Sequence, residues 1–328
     1  MILLALAFGL RLFFIFVVPP SNSAKGDPRY TITAANILSG NGISMETNSP
    51  YRPSAACVPL YPLFMAAVFA TVGQSPAAVK VTQAVIDLLT CLLLAYVSFQ
   101  LAPAAYKNNA ALAALALYGL VSWFTLVWTT CLLTETLALF FTMLTVALCA
   151  LALRRGGWRY WAGAGLSCGL ALSTRPDSVL LLCAVLLFLV WRLALRRSRA
   201  DVIGVLGFGL AVILTLTPWT LRNYLSLGIF QPLASEYGFA DGDGEMPLGY
   251  LLWLRTWITD ETYFGLVFEP VFPPTRGVFY EVSRLPVEAF ASDDERRRVS
   301  ALLARYNQTR VFTPALDEEF RSLAYERI

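Results

Sequence analysis

Residues 132–153 read LLTETLALFFTMLTVALCALAL, a run with a single charged residue, Glu135. About 20 apolar residues in a helix cross a hydrocarbon core of about 30 Å. Backbone groups inside lipid must be bonded within the protein, so only helices and closed barrels span it, and the run lacks the alternation of a barrel strand. The run is therefore predicted to be a transmembrane helix with Glu135 in its first turn.

Similar apolar runs recur along the chain, at residues 1–19, 81–102, 109–129, 159–175, 178–195 and 202–220. The whole chain of 328 residues is 57% hydrophobic and 14% charged, with a mean hydropathy of +0.60. This composition excludes a soluble fold and predicts an all-α polytopic membrane protein with about seven transmembrane helices. Beyond Tyr224 the composition becomes mixed, which predicts a transmembrane module over residues 1–224 and a water-exposed segment over residues 225–328.

Basic residues in three short loops predict the orientation, because cytoplasmic loops carry an excess of Lys and Arg. These loops contain Lys107, then Arg154, Arg155 and Arg159, then Arg192, Arg196, Arg197 and Arg199. The run Cys57–Gly73 decides which side the loop at residues 20–79 faces. It is short and contains Pro59 and Pro62, which favour a juxtamembrane element over a span. The loop and the segment 225–328 are then predicted to lie outside; a spanning Cys57–Gly73 would put Asp27 on the arginine side instead.

The outer loop contains two patches of interest. In GDPRYTITAANILSGNG (residues 26–42), Asp27 and Pro28 are suited to the N-cap and first position of an amphipathic helix. In YRPSAACVPLYPLFMA (residues 51–66), Arg52 and Tyr61 flank the interfacial run. Asp27 is either only a helix cap or a reactive group, and the aromatic and basic residues are either interfacial anchors or substrate contacts.

Three further charged residues stand at predicted span ends on the same side: Glu135, Arg175 in LSTRPDS and Arg222 in TPWTLRNY. Ionisable groups at membrane depth are costly and usually functional, although a carboxylate at a helix start also interacts favourably with the helix dipole. An arginine fork matches a phosphate, but an arginine can equally extend to the lipid headgroups. Both interpretations stay open for each residue.

The residue types exclude several chemistries. The chain has no His, so a general base at neutral pH is predicted to be Asp or Glu, and any metal would be bound mainly by oxygen. There is no Gly-rich phosphate loop, Gly-x-Ser-x-Gly elbow or His-Glu-x-x-His motif. Five of the six cysteines lie inside apolar runs, which indicates packing instead of a disulfide or zinc framework. Nothing in the charge pattern indicates nucleic-acid binding.

Several of these stretches together resemble the polyprenyl-phosphate-sugar-dependent membrane glycosyltransferases of the GT-C fold, the class with protein O-mannosyltransferases and lipid A aminoarabinose transferases. The resemblance is carried by Asp27 with Tyr30, YRP…PLYPLFMA, TET…ALFF, GLALSTRPDS and TPWTLRNYLSLGIFQPLAS. It covers most of residues 8–240. The fold it implies is a GT-C-like bundle with a large first outer loop.

The resemblance also implies roles for individual residues. Asp27 would be the catalytic base, and Glu135 would be the second acidic position, which is associated with a divalent metal such as Mg²⁺ or Mn²⁺ or with the acceptor. Substrate contacts would come from Tyr30, Arg52, Tyr61, Arg175, Arg222 and Asn223. Glu in place of the more common Asp at the second position weakens the metal inference.

The implied partners are a polyprenyl-phosphate-linked sugar, membrane lipids and an acceptor glycan, lipid or protein. The implied location is a bacterial inner membrane, with the site facing the periplasm. The final residues resemble the family's outer segment before a further span, which predicts that the chain is truncated there.

Two other classes of function fit part of the pattern. A transporter or lipid flippase would also place charges among broken helices. The spans show no internal repeat, however, and the predicted charges gather at one boundary instead of the midplane. A structural membrane anchor for the outer tail does not account for that clustering. In the tail, Trp253, Trp257 and Phe264 form an aromatic face that either lies on the membrane or packs in a core.

Overall fold

The computed structural model describes residues 2–18, 26–233, 247–259, 263, 283 and 285–328; helices are the regular elements of these ranges, which contain no strand. Two compact units divide the chain. Unit 1 comprises Met1–Ser44 and Cys57–Glu236, and unit 2 comprises Met45–Ala56 and Tyr237–Ile328. The residues 45–56, within the predicted outer loop, therefore belong to the same unit as the carboxyl-terminal segment.

Unit 1 is a bundle of apolar helices. They are α1 (Ile2–Phe16), α2 (Pro28–Leu38), α3 (Leu60–Val72), α4 (Pro76–Leu101), α5 (Lys107–Ala116), α6 (Trp123–Thr129), α7 (Glu135–Arg155), α8 (Trp158–Leu172), α9 (Val179–Arg196) and α10 (Arg199–Leu227). In the described ranges, α4, α7, α9 with the turn before it, and α10 are long and apolar enough to cross a membrane, and the bent pair α5–α6 would make a fifth span. The all-α polytopic membrane class is confirmed. The count of about seven, which also needs α1 and α8, stays a prediction.

The predicted run 109–129 is not one straight helix. The chain leaves α5 through a π-helical segment, Leu117–Val121, and α6 begins at Trp123 with a bend of 55°. A π turn shifts the backbone hydrogen bonds by one residue and marks many functional sites. Apolarity alone carries no signal for such a break, since both halves belong to one apolar run.

The element around Cys57–Gly73 forms a helix despite its prolines. Pro59 is the N-cap of α3, and Pro62 lies in the first turn. A first-turn proline removes an amide that has no intrahelical partner anyway, so the helix is not broken. With 13 residues, α3 is about 20 Å long, shorter than a span requires.

The predicted cap of the outer-loop helix is confirmed. Asp27 is the N-cap of α2, where its Oδ1 accepts a hydrogen bond of 2.9 Å from the amide of Arg29, and Pro28 is the first helical residue. A carboxylate at this position satisfies an unpaired amide and interacts favourably with the helix dipole.

Close backbone approach joins α8 to α10. A Cβ on Gly165 would lie 2.2 Å from the carbonyl oxygen of Phe208, and one on Gly204 would lie 2.8 Å from the Trp161 ring. Small residues let membrane helices pack backbone to backbone, where dispersion replaces the hydrophobic effect as the attraction. These glycines fix α8 beside α10 and so the position of the loop that follows α8.

Unit 2 is a small helical unit built from α11 (Leu248–Arg255), α12 (Asp293–Thr309) and α13 (Pro314–Arg327). Trp253 is fully buried and Trp257 is nearly so, in one core with Phe320. These two tryptophans therefore pack in a core; Phe264 lies outside the described residues. Asp317 accepts hydrogen bonds of 2.9 Å from the amides of Gly249 and Tyr250, which ties α13 to the start of α11.

The buried carboxylate of Glu295 on α12 connects helices α11 and α13 of unit 2. Glu295 accepts hydrogen bonds from Arg327 at 2.7 and 2.9 Å, from the Ala291 amide at 2.7 Å and from the Trp253 indole at 3.2 Å. Burial opposes ionisation of this group, but the bonds from Arg327, Ala291 and Trp253 outweigh it and lower the pKa of Glu295.

The α8–α10 contact predicts opposite effects for two Gly→Ala substitutions. Gly165→Ala should destabilise unit 1 by about 1–3 kcal/mol, because its methyl group meets the Phe208 carbonyl. Gly209→Ala should stabilise it by up to about 1 kcal/mol, since no atom lies within 4 Å and Ala favours the helix. Thermal unfolding in detergent measures both; equal shifts would contradict this packing.

The lowered pKa of Glu295 predicts a pH dependence for unit 2. Its contribution is present above the unfolded-state pKa of about 4.3 and is lost as the pH falls through the lower folded-state pKa. Glu295→Gln should remove about 1–3 kcal/mol near neutral pH and flatten the acid dependence. The control is Glu319→Gln, at an exposed pair with Arg305. Proteolysis of unit 2 between about pH 3 and pH 7, a range that includes these pKa values, reports its stability. Parallel acid profiles for wild type and Glu295→Gln would refute the assignment.

Candidate active site

An ion pair joins the start of α7 to the loop after α8. Nη1 of Arg175 donates to Oε1 of Glu135 at 2.6 Å, and Nη2 of Arg175 lies 3.0 Å from Oδ2 of Asp177. Burial alone would lower the pKa of Arg175, but its bonds to Asp177 and Glu135 outweigh this and raise it. Arg175 is therefore a fixed cation between two carboxylates.

Two polar atoms beside this pair have no hydrogen-bond partner among the described residues. Oε2 of Glu135 and Oγ1 of Thr136 are both buried. Unpaired buried acceptors are costly, so native proteins rarely retain them without a reason. A hydroxyl group from a ligand would supply the missing donor.

Asp27 lies next to the segment that leads into α7. A Cβ on Gly26 would lie 2.5 Å from the carbonyl oxygen of Leu132, so this backbone packs directly on the residues before Glu135. Oδ2 of Asp27 accepts from Nε of Arg29 at 2.7 Å and pairs with Nη2 at 2.5 Å. Burial would lower the pKa of Arg29, but the hydrogen bond and charge of Asp27 raise it.

Two tyrosines pack between Asp27 and this segment. The rings of Tyr30 and Tyr61 meet edge to face at 4.9 Å. The Tyr61 hydroxyl donates to Oε1 of Gln83 at 2.6 Å, and Nε2 of Gln83 donates to the Cys131 carbonyl at 2.8 Å. Burial raises the pKa of Tyr30, and the negative charges of Asp27 and Glu135 raise it further. Asp27, Tyr30, Tyr61 and Glu135 thus share one neighbourhood.

A cavity of about 540 Å³ opens beside the ion pair. Glu135, Thr136, Arg175, Asp177 and Ser178 supply polar groups to its wall. Its apolar lining comes from Phe124, Trp128, Ala138, Leu139 and Leu181, and the polar groups of Asp87, Thr125 and Thr142 complete it. This cavity combines a charged region with an apolar wall, which suits an amphiphilic ligand.

Three other predicted site residues have different surroundings. Arg222 donates to the Ile43 carbonyl and to Oδ1 of Asn223, both at 3.0 Å, and it stacks on the Trp219 ring. Asn223 donates to the Gln231 carbonyl at 2.9 Å. These bonds tie the end of α10 to neighbouring loops.

Arg52 belongs to unit 2 and pairs with Glu46 at 3.1 Å. The proposed substrate contacts of Arg52, Arg222 and Asn223 stay predictions.

The described geometry at Glu135 does not fit a divalent cation. A Mg²⁺ or Mn²⁺ site needs several oxygen ligands, whereas Glu135 and Asp177 both pair with Arg175. Across the described ranges, no three Asp, Glu or Cys side chains come together as a ligand group. Arg175 supplies positive charge at the place where a metal would bring it.

The sequence patterns missed Arg29, Gln83 and Asp87. Arg29 adjoins the cap and could have been read as its counter-ion, and Gln83 is a polar residue inside an apolar run, which is itself a signal. The same holds for Asp87. The role of each became clear only from its hydrogen-bonding partner in the folded structure.

Comparison with known proteins gives one family. A sequence model described as dolichyl-phosphate-mannose-protein mannosyltransferase matches residues 52–221, just over half of the chain. This match confirms the resemblance to GT-C glycosyltransferases. It includes Arg52, Tyr61, Glu135 and Arg175; Asp27 and Tyr30 precede it, and Arg222 follows it. No curated protein and no solved structure gives a significant match.

The partly buried Glu135–Arg175 pair predicts a measurable coupling. A double-mutant cycle of Glu135→Gln and Arg175→Gln should give a coupling of about 1–3 kcal/mol in thermal unfolding. The exposed pair Arg305–Glu319 has the same separation of 2.6 Å and should give under about 1 kcal/mol. A smaller coupling for Glu135–Arg175 than for this control would contradict the fixed pair.

Proposed function

The chain belongs to the dolichyl-phosphate-mannose-protein mannosyltransferase family, and from this premise we propose that it transfers a sugar from a polyprenyl-phosphate donor to an acceptor hydroxyl. Membership makes it a membrane glycosyltransferase in the broad sense. The observation that carries the finer proposal is the Glu135–Arg175 pair at a cavity with an apolar wall. Asp27 follows Gly26, whose backbone packs on Leu132, three residues before Glu135.

The cavity supports binding of an amphiphilic donor. The phosphate would pair with Arg175, whose fork geometry suits a phosphate, once the exposed Asp177 gives up its bonds to Nε and Nη2. The first isoprene units would lie on the apolar wall near Leu139 and Leu181. Arg222 is a second candidate for the phosphate, provided that it gives up its bond to the Ile43 carbonyl.

Asp27 is the proposed general base. As an acceptor oxygen attacks the anomeric carbon, Asp27 takes the hydroxyl proton, the carbon–oxygen bond to phosphate breaks, and polyprenyl phosphate leaves. Single displacement inverts the anomeric configuration. Arg29 bonds to both oxygens of Asp27, but Oδ1 accepts only the amide bond among these contacts, so its second lone pair can take the acceptor proton.

Glu135 and Arg175 have complementary proposed roles. Oε2 of Glu135 lacks a partner among the described residues and can accept a hydrogen bond from a sugar or acceptor hydroxyl. Arg175 offsets negative charge that develops on the leaving phosphate, and preorganised charges of this kind are a major source of catalysis. The charge is already in place, because Glu135 and Asp177 hold the guanidinium.

The location and partners follow from the family and from the charge distribution. Glu135 and Arg155 are at opposite ends of α7, about 30 Å apart, so the proposed site lies opposite the arginine-rich loops. The positive-inside rule supports a non-cytoplasmic site, and the location that we propose is the periplasmic face of a bacterial inner membrane. The acceptor is a hydroxyl group of a glycan, lipid or protein.

A carrier for lipid or solute is the second candidate. One observation favours it: Arg11 and Asp87 pair in the middle of the bundle, where carriers place charged sites. Family membership favours the transferase, and the midbundle pair also bonds to the π segment Leu117–Val121.

The base assignment predicts that Asp27→Asn loses sugar transfer by about 10²–10⁴-fold, the usual contribution of general base catalysis. The control is Asp294→Asn, an exposed acid paired with Arg297 in unit 2, which should transfer at the wild-type rate. Purified protein is assayed with a panel of polyprenyl-phosphate sugars, and product is scored by mass spectrometry.

The folding of Asp27→Asn is checked by its elution as a single folded species in detergent. Wild-type transfer by folded Asp27→Asn would refute the base. Uptake of solute into vesicles with no donor consumed by the wild type would favour the carrier.

A further inference from the structure

A charged pair lies buried in the middle of unit 1, away from the proposed base. Arg11 on α1 has no exposed surface, and Asp87 on α4 is 2% exposed. Asp87 lies about 16 Å along α4 from its first residue, Pro76. This depth is near the midpoint of a hydrocarbon core of about 30 Å. Charges at that depth are costly and mark function more often than structure.

Arg11 uses its guanidinium to join three elements. Nε donates to Oδ2 of Asp87 at 2.6 Å, and Nη2 forms an ion pair with the same oxygen. Nη1 donates at 2.9 Å to the carbonyls of Ala7 on α1 and of Gly119 in the π segment. One side chain therefore fixes α1 and α4 against the break between α5 and α6.

Tyr118 closes the cluster from the π segment. Its hydroxyl donates to Oδ1 of Asp87 at 2.6 Å, so each carboxylate oxygen has a partner. The neighbouring Gly119 packs tightly, since a Cβ there would lie 3.1 Å from Cβ of Ala7. The bonds to Tyr118 and Gly119 hold the π segment and thereby set where α6 starts.

The position of α6 matters because it forms one wall of the cavity. Phe124, Thr125 and Trp128 line the cavity from α6, and Glu135 and Leu139 line it from α7. Asp87 itself reaches the cavity. The cluster therefore contacts the wall that the proposed donor would touch, through the cavity that Asp87 and Glu135 both line.

We propose that Arg11, Asp87 and Tyr118 are positioning residues that hold the broken helix α5–α6 in the bend that shapes the cavity. Stability alone gives little reason for the cluster, because well-packed apolar residues often replace a buried ion pair without loss. Apolar contacts are not directional, whereas these hydrogen bonds are. The bonds therefore fix the register of Gly119 and Tyr118 against α1 and α4. The effect on donor binding rests on the proposed function; the effect on α6 does not.

Tyr118→Phe is the principal test, because it removes one hydrogen bond and leaves the ion pair intact. The matched control is Asp201→Asn, which breaks a pair of the same 2.6 Å separation with Arg192 at the far end of the bundle. Asp87→Asn is a stronger variant but leaves Arg11 without its counter-ion, so it is interpreted only if it elutes as a folded species.

The first readout follows α6 directly. Thr125→Cys places a thiol in the cavity wall, where Thr125 is 5% exposed, and its maleimide labelling is followed by mass spectrometry of the peptide that contains residue 125. Adding Tyr118→Phe should speed labelling about fivefold, the effect of losing about 1 kcal/mol. Adding Asp201→Asn should leave the rate unchanged. Equal rates with both substitutions would overturn the proposal.

The second readout separates positioning from general damage. Tyr118→Phe should raise the KM for the polyprenyl-phosphate donor about fivefold and change kcat by less than about twofold, because the cavity is altered and the proposed base is not. A fall in kcat at constant KM would overturn the positioning role. If the wild type consumes no donor, the proposed function fails, and the labelling comparison still decides the role of the cluster.

Discussion

The pair of Glu135 with Arg175 is the constraint on which the described site depends. It joins the start of α7 to the loop after α8, and the Leu60 amide donates to the adjacent Ser173 carbonyl at 3.0 Å. Helix α3 is thereby attached to the same loop, and α3 carries Tyr61 against Tyr30. Without the pair, two partly buried charges would each lose their counter-ion.

The few charged residues inside this apolar bundle have specific polar partners for an electrostatic reason. Water screens and hydrates groups poorly inside the bundle, so the charges there are held by hydrogen-bonding partners. Arg175 lies between Glu135 and Asp177, and Arg11 lies between Asp87 and two carbonyls. One set is at a helix start beside the cavity, and the other is at the middle of the bundle. The cavity between them is polar toward Arg175 and apolar along its wall.

Sequence reasoning predicted the helices well and their interruptions poorly. Long apolar runs and the Asp27–Pro28 cap depend on local physics, and both are found. The π segment depends on Arg11, which is distant in sequence, so no local pattern predicts it. For the same reason Arg175 could be placed at a helix end but not assigned to Glu135. Pro62 lies in the first turn of α3, so the short helix forms with it, and the prediction of a juxtamembrane element in place of a span stays a prediction.

The proposed binding of a polyprenyl-phosphate sugar in the cavity beside Arg175 can be measured by photo-crosslinking. The probe is a donor analogue that carries a diazirine on its first isoprene unit, and the labelled peptides are mapped by mass spectrometry. We expect labelling within residues 124–142 and 175–181, competed by unlabelled donor. Competed labelling confined to other parts of the chain would contradict it.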